Sequence, residues 1–276
     1  MNVLVIGGAG FIGTALIKRL VSDHNVTSLD NYTSGSKDNH VNGAAYIEGC
    51  SKDVGLYVSD ADIVFHFGEY SRVEPSFDNQ PLVFDSLVSL YSVLKFCQDK
   101  NAKLIYAGSS SGFAKYASHN LPPYTFIKKV NVDIINQFYQ WNPGDYAVVY
   151  FYNAYGEGEI GDGDYCTVVE KFIRIKSLGK TPSVNGNGEQ KRNFTYIQDI
   201  VDALILVMQK GSGDGYGIGC DESWSVNSLC QMLDIKPIYV DDAKGNRDFA
   251  PLNTKRTKGL GWHWKTSLPD YIKSRL

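Results

Sequence analysis

The 276 residues are enough for one large α/β domain, or for a main domain carrying a smaller lobe. With 43% hydrophobic and 21% charged residues the composition is that of an ordinary globular protein, and a formal net charge of -3 excludes the basic field that nucleic-acid binding needs. Five scattered cysteines (Cys50, Cys97, Cys166, Cys220 and Cys230) form no CxxC or Cys/His cluster, which argues against a metal site and for free thiols in a reducing cytoplasm. No run approaches the ~18 apolar residues of a membrane span, and the first residues enter a strand with no signal-peptide pattern.

In chain order, Asn2–Ile6 (NVLVI) is a short apolar run that predicts a fully buried strand. Glycines follow, then apolar residues at helical spacing (Ile12, Leu16, Ile17, Leu20). Further strands are predicted at Val26–Leu29, Asp62–Phe67, Lys103–Ala107 and Tyr146–Phe151, with helices over 81–100 and 124–141 between them. Strands alternating with helices predict a doubly wound parallel sheet of the Rossmann type. Beyond residue 152 the texture changes. Glycine, aspartate and asparagine cluster at 156–164 and 185–188 as loops, and helices are predicted at 166–178, 198–209 and 226–233. The expected organisation is a dinucleotide-binding domain over 1–152, to which 195–219 returns, and a smaller C-terminal lobe over 153–276 that binds substrate.

The motif Gly7-Gly8-Ala9-Gly10-Phe11-Ile12-Gly13 lies between the first strand and the first helix, where a dinucleotide fingerprint belongs. Its glycines permit a tight turn and close approach of a pyrophosphate to the backbone, and the helix N-terminus then faces the anion. Asp30 ends the next strand, 17 positions beyond Gly13. A carboxylate there accepts from ribose hydroxyls and repels a 2′-phosphate, so NAD is the expected cofactor rather than NADP.

Two tyrosine/lysine pairs are spaced four apart, Tyr91/Lys95 and Tyr124/Lys128, which puts each pair on one helix face. Chemistry in such a fold lies beyond the C-terminal strand ends. Lys103–Ala107 runs into Gly108-Ser109-Ser110-Ser111, and Tyr124 opens the helix after that loop behind Pro122-Pro123. Tyr124 and Lys128 are therefore the catalytic candidates, and Tyr91 is read as a packing or interface residue. A phenol titrates near pH 10; Lys128 and a positive nicotinamide ring would favour its phenolate, letting Tyr124 take a proton from a sugar hydroxyl. Ser111, with Ser110 as the alternative, would hold the reacting oxygen.

With GGAGFIG at 7–13, LDN at 29–31, VFHF at 64–67, SSS at 109–111, YTFIK at 124–128, YFYNAYG at 150–156, GNGEQKRNFTYIQDIVDA at 186–203 and LGW at 260–262, the chain resembles the extended short-chain dehydrogenase/reductase family of NAD-dependent sugar epimerases and dehydratases, nearest to its UDP-glucose 4-epimerase-like branch. The resemblance implies an NAD-dependent epimerase of a nucleotide sugar, at C4 of a UDP-hexose by way of a 4-keto intermediate. A one-way reductase or oxidase and a non-catalytic dinucleotide-binding protein are the alternatives. It implies cofactor contacts from Gly7, Gly10, Phe11, Ile12, Gly13, Asp30, Asn31, Phe67, Gly68, Tyr124 and Lys128, and substrate contacts from Ser111, Asn153, Arg192 and Arg247. An arginine fork suits diphosphate oxygens, while Asn153 reads equally as a turn asparagine. Asp199 reads as part of a helix N-terminus rather than a catalytic acid.

The departures are local. Gly49-Cys50-Ser51 replaces the acidic pair that holds adenine in relatives, and Ser86 stands where an asparagine is common. Glu69 stands where small residues follow the fourth strand, as a functional or a surface residue. Ser111-Gly112-Phe113 lacks the Asp-Glu pair by which the dehydratases lose water. The family likeness also implies a homodimer, paired through the helices at 81–100 and 124–141 by way of Leu87, Leu90, Tyr91, Leu94, Ile134, Ile135, Phe138 and Tyr139. That stripe reads equally as core packing against the sheet.

Overall fold

The computed structural model describes residues 1–113, 121–161, 163, 165–241 and 250–276. Seven strands form its main sheet: β1 (Asn2–Ile6), β2 (Asn25–Asp30), β3 (Ala44–Glu48), β4 (Ile63–His66), β5 (Lys103–Ser109), β6 (Tyr146–Phe151) and β7 (Gly213–Ile218). All pair in parallel, in the order β7-β6-β5-β4-β1-β2-β3. Four helices cover the sheet: α1 (Phe11–Leu20), α2 (Gln80–Lys100), α3 (Pro123–Trp141) and α5 (Ile197–Lys210), where α4 (Val168–Ser177) is the helix of the C-terminal lobe that precedes the last.

Alternation along each strand sends neighbouring side chains to opposite faces. Val3 and Val5 pack with Leu16, Ile17 and Leu20 of α1 and Ile200, Val201 and Leu204 of α5. Leu4 and Ile6 pack on the other face with Leu90, Val93 and Leu94 of α2 and Ile135 and Phe138 of α3. Because both faces are covered, the strands read as unbroken apolar runs.

The core packing divides the expected dimer stripe. Leu90, Leu94, Ile135 and Phe138 are buried in the sheet-facing core. Of that stripe Tyr91 and Ile134 are exposed, together with Leu82, Phe84 and Val88 on α2 and Phe126 and Trp141 on α3.

Two strands escape the sequence pattern. β7 (GDGYGI) looks like a turn because three of its six residues are glycine or aspartate before the first large apolar side chain. It pairs with β6 through a register shift between Gly213 and Tyr216. β3 lies at the sheet edge, has no fully buried residue and so carries no core signature.

The remainder of the C-terminal half builds a separate small core from Tyr155, Val169, Phe172, Phe194, Leu229, Leu268 and Tyr271. Three two-stranded ribbons stitch it together, including Thr195–Tyr196 beside Ala154–Tyr155 and Trp224–Ser225 opposite Lys191–Arg192. Among the described residues no helix is long and apolar enough to cross a membrane.

Candidate active site

Strand order reverses at β1, which has β2 on one side and β4 on the other. Ligand clefts open at such a point, beyond the carboxyl ends of the strands. A cleft of about 810 Å³ lies there, within the size range of small-molecule sites. Its walls come from the Gly7–Gly13 turn, the loops after β4 and β5, the start of α3 and the 151–171 region of the C-terminal lobe.

The glycine turn has a steric cause. Gly7 has φ +83, and a Cβ there would sit 2.6 Å from the backbone nitrogen of Gly68. A Cβ at Gly13 would overlap the Gly7 carbonyl oxygen. Only hydrogens fit, so the loops after β1 and β4 close on one another. No side chain caps α1, and its first turn carries no acidic residue, so its N-terminal amides are suited to an anion.

Asp30, almost fully buried, accepts from the amide of Ala9 at 2.9 Å through one oxygen and from that of Tyr32 at 2.8 Å through the other. It thus fixes the glycine turn while lining the cleft. The turn, the uncapped helix and this carboxylate together fit the adenosine diphosphate half of NAD. Cys50 and Ser51, in place of the acidic pair, line the same end of the cleft. Asp30→Asn is expected to weaken NAD binding roughly 10- to 100-fold, the range of a lost charge-assisted hydrogen bond. It should also narrow the gap to NADP, as titration calorimetry with both cofactors would show.

At the other end stand the chemical groups. Tyr124 and Lys128 sit one turn apart on α3, and both line the cleft. Ser111 lies in the tight turn after β5, where its hydroxyl meets Ser109 Oγ at 2.6 Å and accepts from Thr125 Oγ1 at 3.0 Å. Ser110, the alternative, also lines the cleft. Asn153 adopts a left-handed φ of +38 and donates through Nδ2 to the Asn193 carbonyl at 3.2 Å. It is therefore a turn residue that also faces the cleft.

Arg192 lies on the ribbon opposite Trp224, donates to the Lys191 carbonyl at 2.9 Å, and is not among the residues lining the cleft. Arg247 lies outside the described residues. Tyr91 is 61% exposed, and its companion Lys95 pairs with Asp99 at 3.3 Å, so that pair is a surface feature.

The sequence reading missed Arg72. It lies in the loop after β4, lines the cleft, stacks over the Tyr165 ring at 5.3 Å and donates to the Tyr165 carbonyl. Burial lowers its basicity from the usual arginine range. It ties the Rossmann side of the cleft to the lobe. The signal available was its place beyond a parallel strand's carboxyl end, where functional loops sit.

Glu69 is not a surface residue. Its side chain is 1% exposed and its Oε2 lies 2.7 Å from Lys128 Nζ. Burial alone would push its carboxyl up, but Lys128 and His66 more than offset this and hold it down to about 2. Among the described residues no group of three or more His, Cys, Asp or Glu is placed to hold a metal ion.

Comparison with known proteins agrees with this geometry. The sequence profile of the NAD dependent epimerase/dehydratase family matches residues 3–219. A putative UDP-glucose 4-epimerase from Methanocaldococcus jannaschii is 26% identical over 98% of this chain and 96% of its own. A UDP-N-acetyl-alpha-D-glucosaminuronate decarboxylase from Bacillus cytotoxicus is 28% identical over 83% of this chain and 78% of its own. Among solved structures, the UDP-glucose 4-epimerase of Thermotoga maritima with UDP-glucose superposes with a TM-score of 0.92 at 26% identity, covering 99% of this chain and 96% of that one.

Proposed function

The chain belongs to the NAD-dependent epimerase/dehydratase family, and from that premise we propose that it is a nucleotide-sugar 4-epimerase, with a UDP-hexose as substrate. The observation that carries this reading is the grouping of Tyr124, Lys128 and Ser111 in one cleft with the glycine turn, where the residues directly after Ser111 carry no carboxyl group.

Among the described residues, four acidic side chains line the cleft. Asp30 is engaged with the glycine turn and Glu69 with Lys128, while Glu74 and Asp85 are exposed. At the turn after β5, Gly112 and Phe113 follow Ser111, and neither transfers a proton. A dehydration at C5 and C6 needs an acid and a base there. Epimerisation at C4 needs one proton acceptor and a hydride carrier that gives back what it takes.

NAD supplies the hydride acceptor and donor when bound. The protein's part is proton handling and placement. Ser111 holds the C4 oxygen, and Tyr124 removes its proton as the C4 hydrogen departs as hydride. Lys128 stabilises the phenolate that opens the cycle. Tyr124 returns the proton once the keto sugar has presented its other face. Arg72 and Asn153 hold the far part of the substrate against the lobe.

The test is incubation of the purified protein with a panel of UDP-hexoses, with no cofactor added, and product identification by NMR. Interconversion of a C4 epimer pair is the expected result. No conversion, with NAD still released on denaturation, would replace this reading with a one-way redox enzyme or a non-catalytic dinucleotide-binding protein.

The proposal includes a homodimer. Phe84, Val88 and Tyr91 fall at i, i+4 and i+7 on α2 and are 47%, 64% and 61% exposed, beside exposed Phe126 and Ile134 on adjoining α3. Two copies related by a twofold axis would cover this self-complementary apolar face. Sedimentation at micromolar protein should give a dimer, and Val88→Glu with Tyr91→Glu a monomer. A monomeric wild type would remove the idea.

A further inference from the structure

Glu69 stands directly beneath Lys128, at the back of the cleft. The tight turn Phe67-Gly68-Glu69, closed by a 2.9 Å bond from the Glu69 amide to the Phe67 carbonyl, turns its side chain inward from the end of β4. Three elements surround the carboxylate. From β4, His66 Nε2 lies 3.3 Å from Oε1. From β5, the Tyr106 hydroxyl donates to Oε2 at 2.7 Å. From α3, Lys128 Nζ lies 2.7 Å from Oε2, and Asn131 Nδ2 lies 3.3 Å from Oε1. Asn131 also donates to the Tyr106 hydroxyl at 3.0 Å. His66, Tyr106 and Asn131 have no exposed surface to speak of.

A buried carboxylate costs several kcal/mol unless it is paired and hydrogen-bonded. A neutral side chain would fill this space at less cost, so the charge is maintained against its expense. Lys128 is the group that gains from it. The ammonium has three donors, and all are drawn to the protein interior: to Glu69, to the Ala107 carbonyl at 2.7 Å, and to the Tyr106 hydroxyl at 3.4 Å. Its side chain is 7% exposed, and a lysine so buried with no counter-charge gives up its proton readily.

We propose that Glu69 is the positioning residue of the Tyr124–Lys128 pair: it fixes the lysine nitrogen at the floor of the cleft and keeps it charged, so that Tyr124 always has a cation one helical turn away. The proposal rests on the reading of Tyr124 and Lys128 as the proton-handling pair. Glu69 itself acts only through Lys128. The other titratable groups facing this cluster are His66 behind the carboxylate, Tyr106 between it and the lysine, and Tyr124 itself.

The test uses the full-length protein with 13C at lysine Cε, titrated by NMR, with Lys128→Arg identifying the Lys128 signal. A parallel ultraviolet titration subtracts Tyr124→Phe to isolate the Tyr124 phenolate. Neither readout needs a substrate. In Glu69→Gln, which keeps the size and removes the charge, Lys128 is expected to lose its proton at least about 2 pH units lower than in the wild type. The Tyr124 phenolate should form about 1 unit higher. Glu69→Asp, with the charge drawn back by one methylene, should shift both in the same directions by less, and it decides the matter if Glu69→Gln does not fold. Unchanged Lys128 titration in these variants overturns the proposal. A displaced Lys128 with an unmoved Tyr124 overturns the Tyr124–Lys128 reading while leaving Glu69's hold on the lysine intact.

Discussion

Tyr124→Phe is expected to lower kcat by about 10³-fold, within the range that one general acid–base group contributes. It should change neither the amount of NAD released on denaturation nor the melting temperature. The cofactor end of the cleft, built by the glycine turn and Asp30, does not involve the phenol oxygen. Only one oxygen is lost, from a residue that is half-buried. Initial rates on a converted UDP-hexose, together with cofactor content, separate this from misfolding. A variant that keeps a tenth or more of the activity would remove Tyr124 from the proton transfer.

Lys128→Met should be the most destabilising single change in the site, by about 3–5 kcal/mol, because it leaves the Glu69 carboxylate buried without its cation. The sign with pH follows from the same pair. In the wild type the Glu69 carboxyl is held down to about 2, below its ordinary 4.5. Its contribution to stability is therefore fully present above about pH 4.5 and lost as pH falls toward 2. Without Lys128, burial dominates and raises the carboxyl. The variant then loses stability as pH rises above the unfolded value, the reverse of the wild type. Adding Glu69→Gln removes the stranded charge, so the double variant should recover most of the loss and its pH dependence. Urea unfolding from pH 5 to 8 of the wild type, both single variants and the double variant measures this. A double variant no more stable than Lys128→Met would contradict the pairing.

What the sequence disclosed is what is local in the chain. The glycine turn, its strand and its helix are contiguous, so that part of the cofactor site is written within Asn2–Asp30. Tyr124 and Lys128 are legible because four residues make one helical turn. Glu69 is different. Its partners Tyr106, Lys128 and Asn131 lie 37 to 62 positions away, and only the parallel sheet order brings the loop after β4 beneath α3. No spacing rule announces such a pair. A motif places Arg192 near substrate, while its strand pairs with Trp224, 32 residues away, and leaves it outside the residues that line the cleft. The dimer stripe shows the limit of periodicity. Leu90, Leu94 and Tyr91 are equally apolar in sequence, yet the first two face the sheet and the third faces out. Both long helices are apolar on more than one side, and only packing separates core from surface.

In the proposed reaction hydride leaves C4 and returns to C4 of the same sugar. A UDP-hexose carrying deuterium at C4, incubated with the protein in ordinary water without added NAD and followed by NMR, tests this most directly. The expected product is the C4 epimer with its deuterium still on C4. Deuterium found at C6 of a 4-keto-6-deoxy product, or lost from the sugar altogether, would contradict it.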